Sequence, residues 1–398
     1  MQPRVRALAV TGAAFAAALS LAACSSGGTS ASSSTAVKLS GNTLAIVASY
    51  PGRLAANTAS GDVFDAEQLA FTQLSHTVTD YKLKWVPRYA KLVSYNARAA
   101  ILFPSVSTPA TVAYIGEIAP GYSDQTVGIT NALDLLQVSP TDTALELSQK
   151  TAAVSGSPKY YYESWGTYHQ TFARMVPSSA TEAAVQVAEM KRLGLSSLYV
   201  GSDGSDYGRA LADQVRADAR RGAIKLLSGT DSSGAGAYFF AAQSPLAAAL
   251  FFNHVAAMAP SAKLFGSSSL NTPAFTAALS PAVRNLYVSI PGYMPGALNT
   301  AQRKFVSDFK QAYGHTPDVE AIFGYEAVAS VISTIKKLGV EADNRTAVVQ
   351  AYIGHQHSGG LLGNFSIKAN GDSSTGPLFV FARLHNGRLV PFTAAPGA

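Results

Sequence analysis

A chain of 398 residues, 47% hydrophobic and 14% charged, is too long for one ordinary core and too apolar to be disordered, so two globular domains are expected. Its 30 basic residues exceed its 24 acidic ones by a modest margin, spread along the chain. No basic run is interleaved with aromatics, which leaves nucleic-acid binding without support.

Arg4 and Arg6 head an apolar run from Ala7 to Leu19, and Leu21-Ala22-Ala23-Cys24 follows. A positive segment, a short apolar segment and small residues together read as an export signal over residues 1–24. The last four residues match the lipobox of bacterial lipoproteins. That match implies that Cys24 carries a diacylglycerol and anchors the chain on the outer face of the cell membrane. The apolar run is too short and Ala-rich for a membrane-spanning anchor. Cys24 is the only cysteine, so once lipidated it leaves no thiol for a disulfide or for catalysis. Ser25 to Thr35 is almost entirely Ser, Gly, Ala and Thr, and residues 25–41 read as a flexible tether.

Leu44 to Ala48 reads as a buried strand, ended by the turn residues Tyr50-Pro51-Gly52. A helix is predicted around Asp65 to Gln73, a strand at Leu83 to Val86, a helix at Asn96 to Leu102 and a strand at Val112 to Gly116. Ser123 to Leu133 reads as a helix and Leu135 to Val138 as a strand. After a loop-rich stretch from Ala152 to Trp165 the same alternation restarts. Ser179-Ala180-Thr181-Glu182 has the form of a capping box, and Ala183, Val187, Met190 and Leu193 follow at helical spacing before Gly194. Leu198 to Val200 and Ile224 to Leu227 read as strands flanking a helix that ends near Arg221-Gly222. Phe305, Phe309 and Tyr313 share one helix face; Tyr325, Val328, Ile332 and Ile335 share another, stopped by Gly339. The tail from Leu361 to Val390 reads as short strands with turns at Asn370-Gly371 and Asn386-Gly387. Strands alternating with helices imply an α/β fold with parallel sheets and helices on both faces.

Several phrases, in order, resemble the leucine/isoleucine/valine-binding proteins of ABC importers. They are Tyr114-Ile115-Gly116-Glu117, Val138-Ser139-Pro140-Thr141-Asp142-Thr143, Phe172-Ala173-Arg174 with Pro177, Asp206-Tyr207-Gly208, Gly324-Tyr325-Glu326-Ala327, and Leu362-Gly363-Asn364-Phe365 with Asn370-Gly371-Asp372. The resemblance spans Leu44 to Val390. It implies a periplasmic-binding-protein fold of type I, with two Rossmann-like lobes joined by three crossover hinge strands near 174–177, 289–293 and 356–360. Lobe 1 would be residues 42–175 plus 291–357, and lobe 2 residues 176–290 plus 358–398. The function implied is capture of a small polar solute, amino-acid-like, an amide or a small organic acid, in the cleft between lobes. The solute would pass to an ABC permease in the membrane. A ligand-sensing lipoprotein of the same fold, working with a signalling partner, is the alternative.

Ligands of open α/β sheets sit beyond the carboxyl ends of strands, where loops also start helices. In the first lobe this selects Tyr50 to Arg53, Ile118 to Ser123 and Thr141 to Thr143. By resemblance, the second and third of these loops hold a ligand carboxylate, which selects Ser123, Thr141 and Thr143. Pro120 and Gly121 stand where the family has a serine. Tyr207 matches the family tyrosine that packs over the ligand, and Gln243 falls near another aromatic position. Ser267-Ser268-Ser269 replaces the acidic residue expected for a ligand ammonium, so Ser268 is a candidate contact and a neutral or anionic solute is open. Thr143-x-x-Glu146 is also a capping-box pattern, and Ser123 before Asp124 reads equally as a helix cap.

Asp203 and Asp206 lack the spacing of an EF-hand loop, and His355-Gln356-His357 lacks a third ligand, so no metal and no cofactor are expected. No nucleotide-binding loop, zinc-protease helix or hydrolase elbow is present, and the chain is read as a monomeric binder, not an enzyme.

Overall fold

A computed structural model describes residues 41–50, 58–89, 95–229, 234–376 and 378–396. The export signal, Cys24, the tether and the Pro51-Gly52 turn lie outside them.

The first half runs β1 (Thr43–Tyr50), α1 (Ala59–Leu74), β2 (Lys82–Tyr89), α2 (Tyr95–Val106), β3 (Thr111–Ile115), α3 (Val127–Ala132), β4 (Leu136–Ser139), α4 (Trp165–Tyr168) and β5 (Phe172–Arg174). Then come α5 (Ser179–Arg192), β6 (Ser197–Ser202), α6 (Asp206–Arg221), β7 (Lys225–Leu227), β8 (Ala237–Ala241), α7 (Pro245–Met258), β9 (Lys263–Gly266), α8 (Pro273–Ala278) and β10 (Leu286–Pro291). The last part is α9 (Thr300–Tyr313), α10 (Ala321–Leu338), α11 (Arg345–Tyr352), β11 (Gln356–Gly360), β12 (Gly363–Ser366), β13 (Phe379–His385) and β14 (Arg388–Ala394).

The first sheet has the order β2-β1-β3-β4-β5, all parallel. Its central strands are buried on both faces, which is why β1 and β3 read as unbroken apolar runs. The second sheet has the order β14-β13-β10-β9-β8-β6-β7; β13 and β14 are antiparallel and the rest parallel. The β13–β14 hairpin turns at Asn386-Gly387, where both residues have positive φ (49° and 75°), as a two-residue type I′ turn requires. The fold is α/β with two mostly parallel sheets, the architecture of type I periplasmic-binding proteins.

Each sheet has its own core. Ile46, Val63, Ile115, Phe309, Val328 and Ile332 belong to the first, and Val187, Leu211, Val215, Phe239 and Phe265 to one side of the second. Helix α10 lies against α1 so closely that a Cβ on Gly324 would stand 2.2 Å from the Val63 carbonyl oxygen. The apolar stripe predicted on α10 is this contact face.

The chain passes between the sheets three times: after β5, after β10 and after β12. These passages are tied together. Arg174 Nε lies 3.1 Å from the Asp372 carboxylate. The Gly292 N–H donates to the Leu378 carbonyl at 3.0 Å, and the Arg174 N–H donates to the Gly371 carbonyl at 3.0 Å. Leu361, Leu362 and Phe365 are buried in the first core, so the chain returns to the second sheet beyond β12.

Helix α5 departs from its sequence pattern. Its N-cap is Ser178, with no side-chain cap bond, and Ser179 and Glu182 do not form a capping box. Ser179 Oγ accepts the Leu145 N–H at 3.1 Å instead, and the Glu182 carboxylate is drawn away to the loop after β9. A cap needs a free side chain, and both were engaged by tertiary partners.

Candidate functional site

The loops at the carboxyl ends of β3 and β4 are fastened by Asp142. Its carboxylate accepts the backbone N–H groups of Gly121 (2.7 Å), Ser123 (2.9 Å) and Ala144 (3.0 Å). Ser139 Oγ donates to the Glu117 carbonyl at 2.6 Å, and Ser123 Oγ accepts the Glu117 N–H at 3.2 Å. Arg174 donates to the carbonyls of Asp142 (2.8 Å) and Ala144 (2.7 Å) from below. The loops are therefore held by charge-assisted bonds and present their outer edges to the second sheet. Neither a Ser123 cap nor a Thr143–Glu146 capping box exists: Ser123 serves the Glu117 amide, and Thr143 faces the other sheet.

On the facing side, the loops after β6, β8 and β9 bring Tyr207, Gln243 and Ser268. Asp203 fixes two of these loops. It accepts the N–H groups of Gln243 (2.8 Å), Ser244 (2.9 Å) and Ser205 (3.1 Å). Asp206 is engaged by the Tyr161 hydroxyl at 2.7 Å and by Arg209. Among the described residues no group of His, Cys, Asp or Glu could hold a metal ion.

The two sides meet. Thr143 Oγ1 lies 3.5 Å from Ser268 Oγ, and the Tyr207 hydroxyl lies 3.5 Å from the same atom. A Cβ on Gly121 (φ 82°) would stand 2.6 Å from Gln243 Nε2 and 2.8 Å from Tyr207 Cβ. Thr143, Tyr207 and Ser268 are all buried. The loops of the two sheets are in contact along this seam.

Behind Ser268 stands Glu182, fully buried. Its carboxylate accepts the Ser268 N–H (2.6 Å), the Ser268 hydroxyl (3.1 Å) and the Ser289 hydroxyl (2.6 Å). Burial raises its pKa to about 7, against the lowering effect of those bonds and of Tyr207. Burial, then the charge of Glu182, holds the Tyr207 phenol well above its ordinary value.

What remains open inside the shut seam is a cavity of about 30 Å³. Ala59 and Ser60 at the start of α1, Ile118 to Pro120, Thr141, Ser268, Ser269, Asn271, Thr272 and Glu320 line it. It shares Ala59, Asn271 and Thr272 with an outer chamber of about 700 Å³, bounded also by Asp62, Pro273, Pro295, Pro317, Asp318 and the β13–β14 hairpin. The inner space admits about one water, whereas the outer has the size of a small-molecule site.

Of the residues selected from sequence, Thr141 and Ser268 line the inner cavity, and Thr143, Tyr207 and Gln243 form the seam beside it. Ser123 is committed to the Glu117 amide. Tyr50, at the end of β1, has its ring 4.7 Å from Phe64 and 5.7 Å from Tyr89. Glu182, Asn271 and Glu320 were not selected. Glu182 was absorbed in an apparent capping box, and nothing local marks the other two.

No protein-family model matches the chain, and no curated sequence does. Solved structures do match in fold. The leucine-binding protein LivK of Thermotoga maritima is 18% identical with a TM-score of 0.72, covering 88% of this chain and 98% of its own. An ABC transporter substrate-binding protein of Desulfitobacterium hafniense in complex with Leu is 20% identical, TM-score 0.68, covering 88% and 100%. A solute-binding protein of an ABC transporter from R. palustris in complex with benzoate is 15% identical, TM-score 0.65, covering 90% and 98%. At these identities the likeness is one of fold: a type I periplasmic-binding architecture, carried over nearly the whole length of each neighbour.

Proposed function

We propose that this chain is the extracytoplasmic solute-binding component of an ABC importer. It takes a small polar solute between its two lobes and presents the closed form to a membrane permease. The observation that carries the reading is the shut seam: Thr143 from the first sheet's loops meets Ser268 and Tyr207 from the second's, beside a polar cavity. Two halves linked by three short passages can swing apart and close on a ligand. The solved neighbours of this fold are described as substrate-binding proteins, which supports a binder over an enzyme.

The domain reading places lobe 1 at 42–175 plus 291–357 and lobe 2 at 176–290 plus 358–398. The burial of Leu361, Leu362 and Phe365 in the first core supports a last boundary nearer residue 367. Tyr50, Ser123, Thr141, Thr143, Tyr207, Gln243 and Ser268 remain the proposed ligand set, with Thr141 and Ser268 supported by the cavity they line. A lipid anchor on Cys24 would hold the body at the membrane surface as a monomer. No helix among the described residues is long and apolar enough to cross a membrane. Replacing Cys24 by Ala should release the protein from membrane fractions.

The test is a calorimetric screen of the purified protein against amino acids, amides, short organic acids and sugars, joined to mass spectrometry of any ligand that co-purifies. One saturable solute is expected. Absence of both binding and a co-purified ligand would defeat the reading.

A further inference from the structure

The end of the second sheet that lies away from the candidate site is crowded with cations. Helices α5 and α6 both finish there, with Lys191 and Arg192 in the last turn of one and Arg220 and Arg221 in the last turn of the other. The two ends touch: a Cβ on Gly222, just past α6, would stand 3.3 Å from Lys191 Cδ. Lys225 opens β7 and pairs with Ser197 at the start of β6. Arg383, on antiparallel β13, donates to the Tyr287 hydroxyl at 3.1 Å, and Tyr287 belongs to the same core as α5 and α6. All six of these basic residues are exposed.

Little offsets them. The acids in the last two turns of α5 and α6 are Glu189 and Asp218, both buried and already paired, with Arg192 at 2.6 Å and with Arg221. The chain holds no acidic residue from 232 to 307 or beyond Asp372, so β8, β9, β10, β13 and β14 bring none. Counting Asp231, which lies outside the described residues, still leaves an excess of cations. Helix dipoles do not account for the cluster: each helix end carries about half a negative charge, and Lys225 and Arg383 belong to strands. The corresponding end of the first sheet is mixed in sign. Lys82 follows Asp80 there, Glu341 and Asp343 follow Lys336 and Lys337, and a Cβ on Gly339 would stand 3.6 Å from the Asp80 carboxylate.

We propose that this basic pole of the second sheet is a docking surface for the phosphate headgroups of an anionic bilayer. The lipid anchor read at Cys24 keeps a bilayer within reach, and the inference rests on that reading for its partner. Exposed cations spread over two helix ends and two strands suit an extended array of phosphates better than one small anion. The loops of the candidate site follow the carboxyl ends of the strands, so docking at the amino ends leaves the site free. Because the carboxyl ends of both sheets meet at the seam, β1 begins at the opposite end of the body from this pole. Anchor and pole together therefore lay the body along the membrane. Salt screens such contacts beyond about 8 Å in physiological conditions, so the pole orients an anchored body and does not replace the anchor.

The experiment uses the full mature chain carrying Cys24→Ala, so that no acyl chain contributes, with vesicles of phosphatidylcholine alone or mixed equally with phosphatidylglycerol. Cosedimentation at low salt is expected to show binding to the mixed vesicles about tenfold tighter or more, and loss of that binding at about 0.5 M salt. Lys191→Gln, Arg220→Gln and Lys225→Gln together are expected to weaken it roughly twentyfold or more, at about fivefold per charge. None of these three pairs with an acid among the described residues. Lys82→Gln, Lys336→Gln and Lys337→Gln together remove the same charge from the end of the first sheet and are expected to leave binding within about twofold. Melting temperatures report whether each variant is folded. Should the first triple variant not fold, Arg220→Gln alone decides, with an expected loss of about fivefold. Equal binding to both kinds of vesicle, equal losses in the two triple variants, or tighter binding to soluble poly-L-glutamate than to the mixed vesicles overturns the proposal. Release of the Cys24→Ala protein from membrane fractions tests the anchor separately, and calorimetry tests solute binding.

Discussion

Thr143 and Ser268, 125 positions apart in the chain, have their hydroxyl oxygens 3.5 Å apart at the seam between the two sheets. Neither hydroxyl is required there by local structure: Thr143 caps no helix, and Ser268 is steered by Glu182. Their meeting joins the loops of the first sheet to those of the second.

Replacing Thr143 or Tyr207 by Ala should therefore weaken solute binding by about 1–3 kcal/mol each. The melting temperature of the unliganded Thr143→Ala protein should change little, since its hydroxyl serves the seam. Calorimetry and thermal melts on the same samples check this. Stability lost with affinity unchanged would assign both residues to folding alone.

Gly121→Ala should act on closure. The position has φ of 82°, and an added Cβ would press on Gln243 and Tyr207 across the seam. The left-handed backbone costs an alanine about 1–2 kcal/mol in either state. The clash exists only when the jaws are shut, so affinity should fall by more than stability. Parallel melts and titrations would separate the two losses.

Stability should decline as pH rises from mild acid to mild alkali. Glu146 and Glu182 are buried, with burial raising their pKa from 4.5 to about 8 and about 7. Each binds a proton on folding between its unfolded and folded pKa, so their contribution is complete below about pH 4.5 and is lost as pH passes 7 to 8. Each such group contributes a slope of about 1.4 kcal/mol per pH unit in that window. Chemical denaturation at pH 5.5 and 8.5 measures the difference, and Glu146→Gln should flatten it.

Gly324→Ala tests the packing of α10 on α1. The new methyl would meet the Val63 carbonyl oxygen, which belongs to a helix backbone that cannot yield locally. A loss at the upper end of about 1–3 kcal/mol is expected from equilibrium unfolding.

The fold was legible where one principle ruled a segment. Leu44 to Ala48 is buried on both faces and reads as an apolar run. Helix α10 shows its stripe because one face meets α1, and Gly339 follows its last turn. Strand β8 and helix α7 were not legible. Ala237 to Phe252 is apolar almost throughout, so neither period stands out. In the candidate site, the loop from Thr141 to Thr143 could be placed from the strand order, whereas Tyr207 and Ser268 rested on the family resemblance. Glu182 and Glu320 escaped because their partners come from distant loops, and a helix-start glutamate looks the same whether it caps its own helix or reaches across a cleft.

The central claim is that a solute closes two lobes, and small-angle scattering of the mature chain with and without saturating solute tests it most directly. The account predicts a smaller radius of gyration on binding, with the bound profile matching the shut form seen here. Saturating binding with an unchanged profile would contradict it.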